Sequence, residues 1–159
     1  MASDDARHTY GFELPLLLFA GFRSLIDELH RELAKQGHPG MRPAYGFAMQ
    51  AIGLDGATGT EVGRSLGVSK QAAGKTIDRL EALGYVTRTG DPDDARRKVV
   101  RLTERGVDAL RRSAHIFESL RQRWGAEMGA PRLHELEAGL RRVTPGDGLR
   151  LDVQGWFGA

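Results

Sequence analysis

The sequence predicts a mainly α-helical fold with one small β-hairpin, and three observations support this fold class. Hydrophobic residues recur three and four positions apart along both outer parts of the 159-residue chain, which is the period of amphipathic helices. Ser, Thr, Pro and Gly residues that start or end helices divide these stretches. Near the middle, two Val- and Thr-containing runs, YVTRT and KVVRLT, flank the polar segment GDPDDARR, which is typical of a hairpin with a charged tip.

The N-terminal part of the chain contains a polar segment and two predicted helices. Residues 1–13 are mostly polar, and we expect them to be flexible. A long amphipathic helix is predicted from Leu14 to about Gln36. The segment GHPGMRP ends this helix, and Pro43 begins a second helix that runs to about Ile52. The apolar stripe of the first helix comprises Leu18, Phe22, Leu25, Ile26, Leu29 and Leu33.

The middle of the chain predicts two short helices joined by a tight turn. Thr58 and Glu61 have the S/T-x-x-E spacing of a capping box, at the start of a helix from about Gly59 to Leu66. The letters LGVS form the turn, and Ser69 is placed to cap the second helix. Together with the hairpin that follows, these elements predict a winged helix-turn-helix, in which the second helix projects from the body.

Two further helices are predicted after the hairpin. Thr103 is placed to cap a long helix, the letters GAP interrupt it, and a last helix follows from about Arg132 to Arg142. Residues 144–159 form a tail without a clear pattern. The predicted apolar stripe of the long helix comprises Val107, Leu110, Ala114, Phe117, Leu120 and Trp124.

The letters GKT, from Gly74 to Thr76, also end the phosphate loop of many nucleotide-binding proteins. That loop needs a glycine five positions before Gly74, where this chain has Ser69. It must also follow a strand, whereas Val62 and Leu66 have helical spacing. No histidine stands four positions from another, and no nucleophile elbow or metal-hydrolase motif is present. We therefore predict a protein that is not an enzyme and has no catalytic site, metal site or cofactor.

Neither the apolar segments nor the cysteine count indicates a membrane or an oxidising compartment. The run LPLLLFAGF is too short to span a bilayer, and no basic region precedes it as in a signal peptide. The chain has no cysteine, which excludes disulfides and thiolate ligands. We expect a cytoplasmic protein that does not bind membranes.

Positive charge is concentrated in the predicted winged helix-turn-helix. Residues 61–105 carry ten Lys and Arg against seven Asp and Glu, whereas residues 1–60 carry five against seven. Cations on one exposed helix are also typical of a solvated face, but a cationic hairpin beside that helix favours DNA. The predicted DNA-binding residues are Thr58, Arg64, Ser69, Lys70, Gln71, Ala72, Gly74, Lys75, Arg79, Asp94, Arg96, Arg97 and Lys98.

The second short helix and the hairpin tip have different expected roles on DNA. The N-terminal end of such a helix enters the major groove, where Gln71 can bind adenine, and Lys70 or Lys75 can reach a guanine edge or a phosphate. The guanidinium of Arg96 can enter the minor groove, and we expect Asp94 to hold it by a bidentate ion pair.

The same residues resemble a known family of transcription factors. The segment TGTEVGRSLGVSKQAAGKTIDRLEALGYVTRTGDPDDARRKVVRLTERG resembles the signature of the MarR (multiple antibiotic resistance regulator) family. The D-x-R motif of the wing stands here as Asp94-Ala95-Arg96, and LTERG is the usual entry to the long helix. The resemblance extends over residues 14–143. The family often has a second arginine at the position of Ala95, and this chain lacks it.

The resemblance implies a homodimer, with dimerisation helices in residues 14–54 and 104–143 and DNA binding by residues 55–103. Such dimers bind a pseudo-palindromic double-stranded operator, usually as repressors that a small phenolic or aromatic ligand releases. The residues that would line the effector pocket are Phe22, His38, Arg42, Tyr45 and Met49, with Arg42 placed to hold a carboxylate. Three of them, Phe22, Tyr45 and Met49, also suit ordinary core positions.

A second function class also fits the predicted fold. Winged helices serve as protein-interaction modules too, and the Trp156-Phe157 pair in the tail could mark such a surface. The two classes differ in the salt dependence of binding, which is steep for DNA and weak for an apolar protein contact.

Overall fold

The computed structural model describes residues 10–94, 96–144 and 146, and in these it shows six helices and one two-stranded antiparallel sheet. The mainly helical fold with a hairpin wing is confirmed. Residues 1–9, Ala95 and the tail with Trp156 and Phe157 lie outside the described residues. The elements are α1 (Glu13–Lys35), α2 (Pro43–Ile52), α3 (Gly59–Leu66), α4 (Lys70–Ala82), β1 (Val86–Gly90), β2 (Lys98–Leu102), α5 (Glu104–Met128) and α6 (Ala130–Val143).

Side-chain caps fix the starts of three helices at the positions that the sequence predicts. At α3, the Glu61 backbone N–H donates to the Thr58 hydroxyl at 3.2 Å, and the Thr58 N–H donates to the Glu61 carboxylate at 2.7 Å. At α4, the Ser69 hydroxyl accepts from the backbone N–H of Ala72 at 3.1 Å. At α5, the Thr103 hydroxyl accepts from the backbone N–H of Gly106 at 3.2 Å. These caps place α3 and α4 at a defined angle around the intervening turn.

The core lies where the winged helix-turn-helix meets α1, α2 and α5. The C-terminal half of α1 contributes Ile26, Leu29 and Leu33, and all three are buried. The hairpin contributes Val86 and Val100 from β1 and β2, whose antiparallel register pairs residue 86 with 102. The hairpin base is therefore part of the core, and only its tip projects.

The buried face of α5 differs from the predicted stripe. Its buried residues are mostly small, whereas Val107 and Ala114 of the predicted stripe are exposed and only Leu120 is fully buried. The cause is close packing, because a Cβ at Gly106 would lie 2.2 Å from the Tyr85 carbonyl oxygen. A large residue cannot occupy this face near the hairpin. The buried residues are Gly106, Ala109, Ser113, Ile116 and Leu120.

The N-terminal half of α1 presents large apolar side chains to solvent. Each residue of this set is between 42 and 64% exposed, which is unusual for a run of side chains of this size in a monomer. We call this surface the apolar α1 face, and it consists of Leu14, Leu16, Leu17, Leu18 and Phe19.

A buried histidine joins three separate parts of the chain. His38, in the connection between α1 and α2, is 3% exposed. Its Nδ1 lies 3.2 Å from the Tyr85 hydroxyl, and its Nε2 lies 3.0 Å from a carboxylate oxygen of Asp108 in α5. Arg105 donates from one nitrogen to the Gly37 carbonyl at 3.1 Å and to the Tyr85 hydroxyl at 3.3 Å. These hydrogen bonds cross-link the α1–α2 connection, the hairpin base and α5.

The carboxylate of Asp108 makes folding stability depend on pH. Hydrogen bonds from Arg112, at 2.7 Å, and from His38 and Arg111 hold the pKa of this carboxyl well below its usual range. Because the folded pKa is depressed, this stabilisation is present above the unfolded pKa of about 3.9 and is lost as the pH falls below it.

We therefore expect Asp108→Asn to lower the melting temperature at neutral pH. The difference in melting temperature between the variant and the unaltered chain should shrink as the pH is lowered from about 5 to about 3. Thermal melts followed by circular dichroism measure this difference. Asp27→Asn is the matched control, since Asp27 is paired with Arg23 at only 3.5 Å on an exposed helix surface. A difference that stays constant over this pH range would contradict the prediction.

Candidate nucleic-acid interface

A groove of about 640 Å³ lies between α3, α4 and the hairpin. The groove is lined by most of the cations of this region, by the N-terminal residues of α3 and by two apolar residues, Ile77 and Val100. Seven of the predicted DNA-binding residues line it: Thr58, Arg64, Lys70, Gly74, Arg96, Arg97 and Lys98. The structure adds Arg88, from β1, which the sequence analysis did not identify.

Helix α4 presents two stripes of residues outside the core. Lys70 and Gly74, four residues apart, line the groove. Gln71, Lys75 and Arg79 follow the adjacent stripe at the same spacing, and all three are exposed outside the groove lining. The helix therefore offers one face toward the wing and a second face to solvent, while Ala73, Ile77 and Leu80 point into the core.

Backbone hydrogen bonds shape the tip of the wing. The Asp94 carboxylate accepts from the backbone N–H of Arg96 at 2.9 Å, and the Asp94 carbonyl accepts from the backbone N–H of Arg97 at 2.9 Å. This differs from the expected ion pair between Asp94 and the Arg96 guanidinium. The carboxylate of Asp94 is bound to backbone instead, and the Arg96 side chain is exposed.

Two arginines of the groove are bound by carboxylates of the same chain. Arg97 lies 3.2 Å from Glu61 and 3.6 Å from Asp91. Arg88 pairs with Asp78 at 2.5 Å and with Glu81 at 2.5 Å. Partial burial disfavours the charge of Arg88, but the hydrogen bonds that the guanidinium donates to these two carboxylates outweigh this effect and raise the pKa of Arg88.

The other cations of this surface remain available to bind anions. In the part of the chain that the structure describes, none of them forms an ion pair with an Asp or Glu side chain. They are exposed side chains on three elements that surround one groove, and they can contact several phosphates of a single nucleic acid. These six residues, here called the free cations, are Arg64, Lys70, Lys75, Arg79, Arg96 and Lys98.

Two hydroxyl groups of this surface already have partners. The backbone N–H of Thr58 and then its hydroxyl, at 2.9 Å, both donate to the Glu61 carboxylate and lower the pKa of that carboxyl. The Ser69 hydroxyl caps α4. Ala72 is half-buried beside this cap, next to the free N-terminal end of the helix.

Residues 40–97 match the sequence model of the MarR family. This segment is a MarR-family winged helix. It contains α2, α3, α4, β1 and the wing tip, and it includes all the groove-lining residues except Lys98 and Val100. The sequence is not similar to any curated protein sequence at a significant level.

Solved structures extend the likeness to most of the chain. The transcriptional regulator Tm0710 from Thermotoga maritima is 25% identical, with a TM-score of 0.59, over 82% of this chain and 95% of that one. Apo MarR from E. coli is 24% identical, with a TM-score of 0.65, over 83% and 97%. A mutant of MepR from S. aureus, bound to an oligodeoxyribonucleotide, is 16% identical, with a TM-score of 0.57, over 84% and 96%. The chain thus has the fold of MarR-family transcriptional regulators along its helices and wing.

The five predicted effector-pocket residues occupy different environments. Tyr45 and Met49 are buried in the core, and His38 is bound by Tyr85 and Asp108. Arg42 is exposed immediately before α2, and the Phe22 ring stacks at 6.5 Å on that of Phe47. A separate cleft of about 600 Å³ between α1 and α5 is lined by none of these five.

Among the residues that the structure describes, no group of three or more His, Asp or Glu side chains is placed to hold a metal ion. None of the described helices is long and apolar enough to cross a membrane.

Proposed function

We propose that the chain is a sequence-specific DNA-binding transcriptional regulator. The free cations on α3, α4 and the wing carry this proposal, because four of them line one groove, the other two lie on the adjacent face of α4, and none has a carboxylate partner among the described residues. DNA binding of this kind needs several phosphate contacts from separate elements, together with a helix that reaches the bases. The MepR mutant with the same fold is bound to an oligodeoxyribonucleotide.

The residues of the interface divide into two roles. Lys70, Lys75 and Arg79 bind phosphates beside the major groove, while Arg64 and Lys98 do so from the two flanking elements. The exposed amide of Gln71 reads base edges near the N-terminus of α4, and the absence of a side chain at Gly74 lets the helix backbone approach. Arg96 extends from the wing into the minor groove.

A homodimer supplies two such interfaces. The apolar α1 face is more than 40% exposed in the single chain, and a second copy is a suitable partner for it. Residues 14–54 and 104–143 then hold the dimer together, and residues 55–103 bind DNA. The two copies of α4 would contact half-sites about 34 Å apart on a pseudo-palindromic operator. We infer that this cytoplasmic dimer acts as a repressor and has no enzymatic activity.

The proposed repressor is released by a small aromatic acid or phenol. Arg42 is exposed at the start of α2, where its guanidinium can hold a carboxylate, and Phe22 offers an exposed ring beside Phe47. Tyr45 and Met49 form the apolar floor, so that binding must displace or reorient them. His38, in the preceding connection, links this region to the hairpin base.

Arg42→Ala is expected to raise the dissociation constant for an aromatic carboxylate about tenfold, because a charge-assisted hydrogen bond is lost. Benzoate and phenol form a matched probe pair, since only benzoate carries the carboxylate that Arg42 would hold. Isothermal titration should show weaker benzoate binding, unchanged phenol binding and unchanged DNA affinity. Equal benzoate affinity in the variant and the unaltered chain would contradict this role.

The DNA-binding proposal is tested by fluorescence anisotropy. The probe is a labelled duplex that the protein enriches from a random-sequence library, and a scrambled duplex is the control. Preferential binding that weakens steeply between two salt concentrations supports the regulator. Equal binding to both duplexes, or no binding, contradicts it. Salt-insensitive association with another protein would instead favour an interaction module.

A further inference from the structure

Arg88 lines the groove, yet its side chain is committed to its own chain. The side chain is 29% exposed, and its two terminal nitrogens each contact a different carboxylate, Asp78 and Glu81, at 2.5 Å. The backbone N–H of Arg88 also donates to Glu81 at 3.0 Å. These ion pairs engage both terminal nitrogens and hold the guanidinium in place on its own chain.

These contacts connect the recognition helix to the wing. Asp78 and Glu81 are three residues apart on α4, so they share one face of the helix, and Arg88 is in the middle of β1. A second tie connects the wing to α3, since Arg97, next to β2, binds Glu61 at 3.2 Å. Both strands of the hairpin are therefore tied by arginine to the helix-turn-helix.

We propose that Arg88 is a positioning residue, which together with Asp78 and Glu81 sets the distance and angle between the recognition helix and the wing on DNA. We call these three residues the wing clasp. This inference rests on the proposed DNA-binding function and deepens it. Base contacts by α4 and a minor-groove contact by Arg96 must form at the same time, so that a fixed spacing between the two elements favours the matching sequence.

Replacing the charged side chain of Asp78 distinguishes the wing clasp from a purely electrostatic effect on DNA binding. Its side chain is 68% exposed on the helix that faces DNA. If only charge mattered, Asp78→Asn would strengthen binding, because it removes a negative charge near the phosphates and releases Arg88 to bind one of them. If the wing clasp positions the wing, Asp78→Asn should instead weaken DNA binding, because this substitution breaks an ion pair that holds the wing.

We expect Asp78→Asn to weaken binding to the enriched duplex by about three- to fivefold, the upper range for an exposed ion pair. Binding to the scrambled duplex should stay equal or become stronger. Arg88→Gln should weaken binding to the enriched duplex as well. In the Arg88→Gln background, Asp78→Asn should cause no further loss, because the wing clasp is already broken.

The experiment measures anisotropy with both duplexes for the unaltered chain, the two single variants and the double variant. Asp27→Asn, on the exposed surface of α1, is the control for loss of one negative charge outside the groove. Circular dichroism melts confirm that each variant is folded. Failure of the unaltered chain to prefer the enriched duplex would overturn the proposed function. Preference by the unaltered chain, with equal or stronger binding by Asp78→Asn, would overturn the wing clasp alone.

Discussion

Gly106→Ala should reduce the free energy of unfolding by about 3 kcal/mol, the upper range for overpacking a core. The added Cβ would lie 2.2 Å from the Tyr85 carbonyl oxygen and 3.2 Å from a methyl carbon of Leu102. The obstacle is backbone, which cannot rotate away, and the same carbonyl accepts the backbone N–H of Thr103 at 3.0 Å. Relief therefore requires α5 to move away from the hairpin base.

The chain contains its own control for this prediction. Gly74 is also inside a helix, but a Cβ there would meet nothing within 4 Å. Gly74→Ala should therefore stabilise the protein by about 0.5–1 kcal/mol through helix propensity alone. Urea unfolding of both variants measures the two changes. Similar stabilities for the two variants would contradict the packing described for α5.

Arg96→Ala should weaken binding to the enriched duplex by about 1–3 kcal/mol, or roughly ten- to hundredfold. The guanidinium has no carboxylate partner among the described residues, and the turn beneath it is held by Asp94, so its removal takes away a DNA contact and leaves the fold intact. The slope of log affinity against log salt should fall by about 1 if the side chain neutralises one phosphate.

The control for Arg96→Ala is an exposed cation far from the groove. Arg23, on α1, has a side chain that is 71% exposed, and Arg23→Ala should change neither the affinity nor the salt slope. Anisotropy titrations at several salt concentrations with the enriched duplex compare the two variants. Unchanged affinity of Arg96→Ala at physiological salt would rule out the role of the wing.

Local signals made most of the fold predictable. Thr58, Ser69 and Thr103 each cap the helix that the sequence assigned to them, because capping depends only on residues three positions apart. The hairpin followed from its Val and Thr content. The buried face of α5 could not be predicted in the same way, since hydrophobic periodicity selects large residues, and this face is built from Gly106 and Ala109.

For the interface too, local sequence signals were predictive, whereas contacts between distant parts of the chain were not. The sequence identified the cationic side chains, and the structure brings seven of the predicted residues to one groove. The sequence could not show which cations form ion pairs with carboxylates of the same chain. Arg88 meets Asp78 and Glu81 only because the turn after α4 folds β1 back onto the helix. The sequence predicted an ion pair between Asp94 and the Arg96 guanidinium, whereas the Asp94 carboxylate accepts from the backbone N–H of Arg96.

The buried hydrogen bonds of His38 have a mechanical consequence. They join the α1–α2 connection to Tyr85 at the hairpin base and to Asp108 in α5, so that the parts on either side of the core cannot pivot independently without breaking them. In the proposed dimer, each chain would therefore rotate as one rigid body about the apolar α1 face. A small rotation there would produce a larger displacement at the wing tips and would change the distance between the two copies of α4.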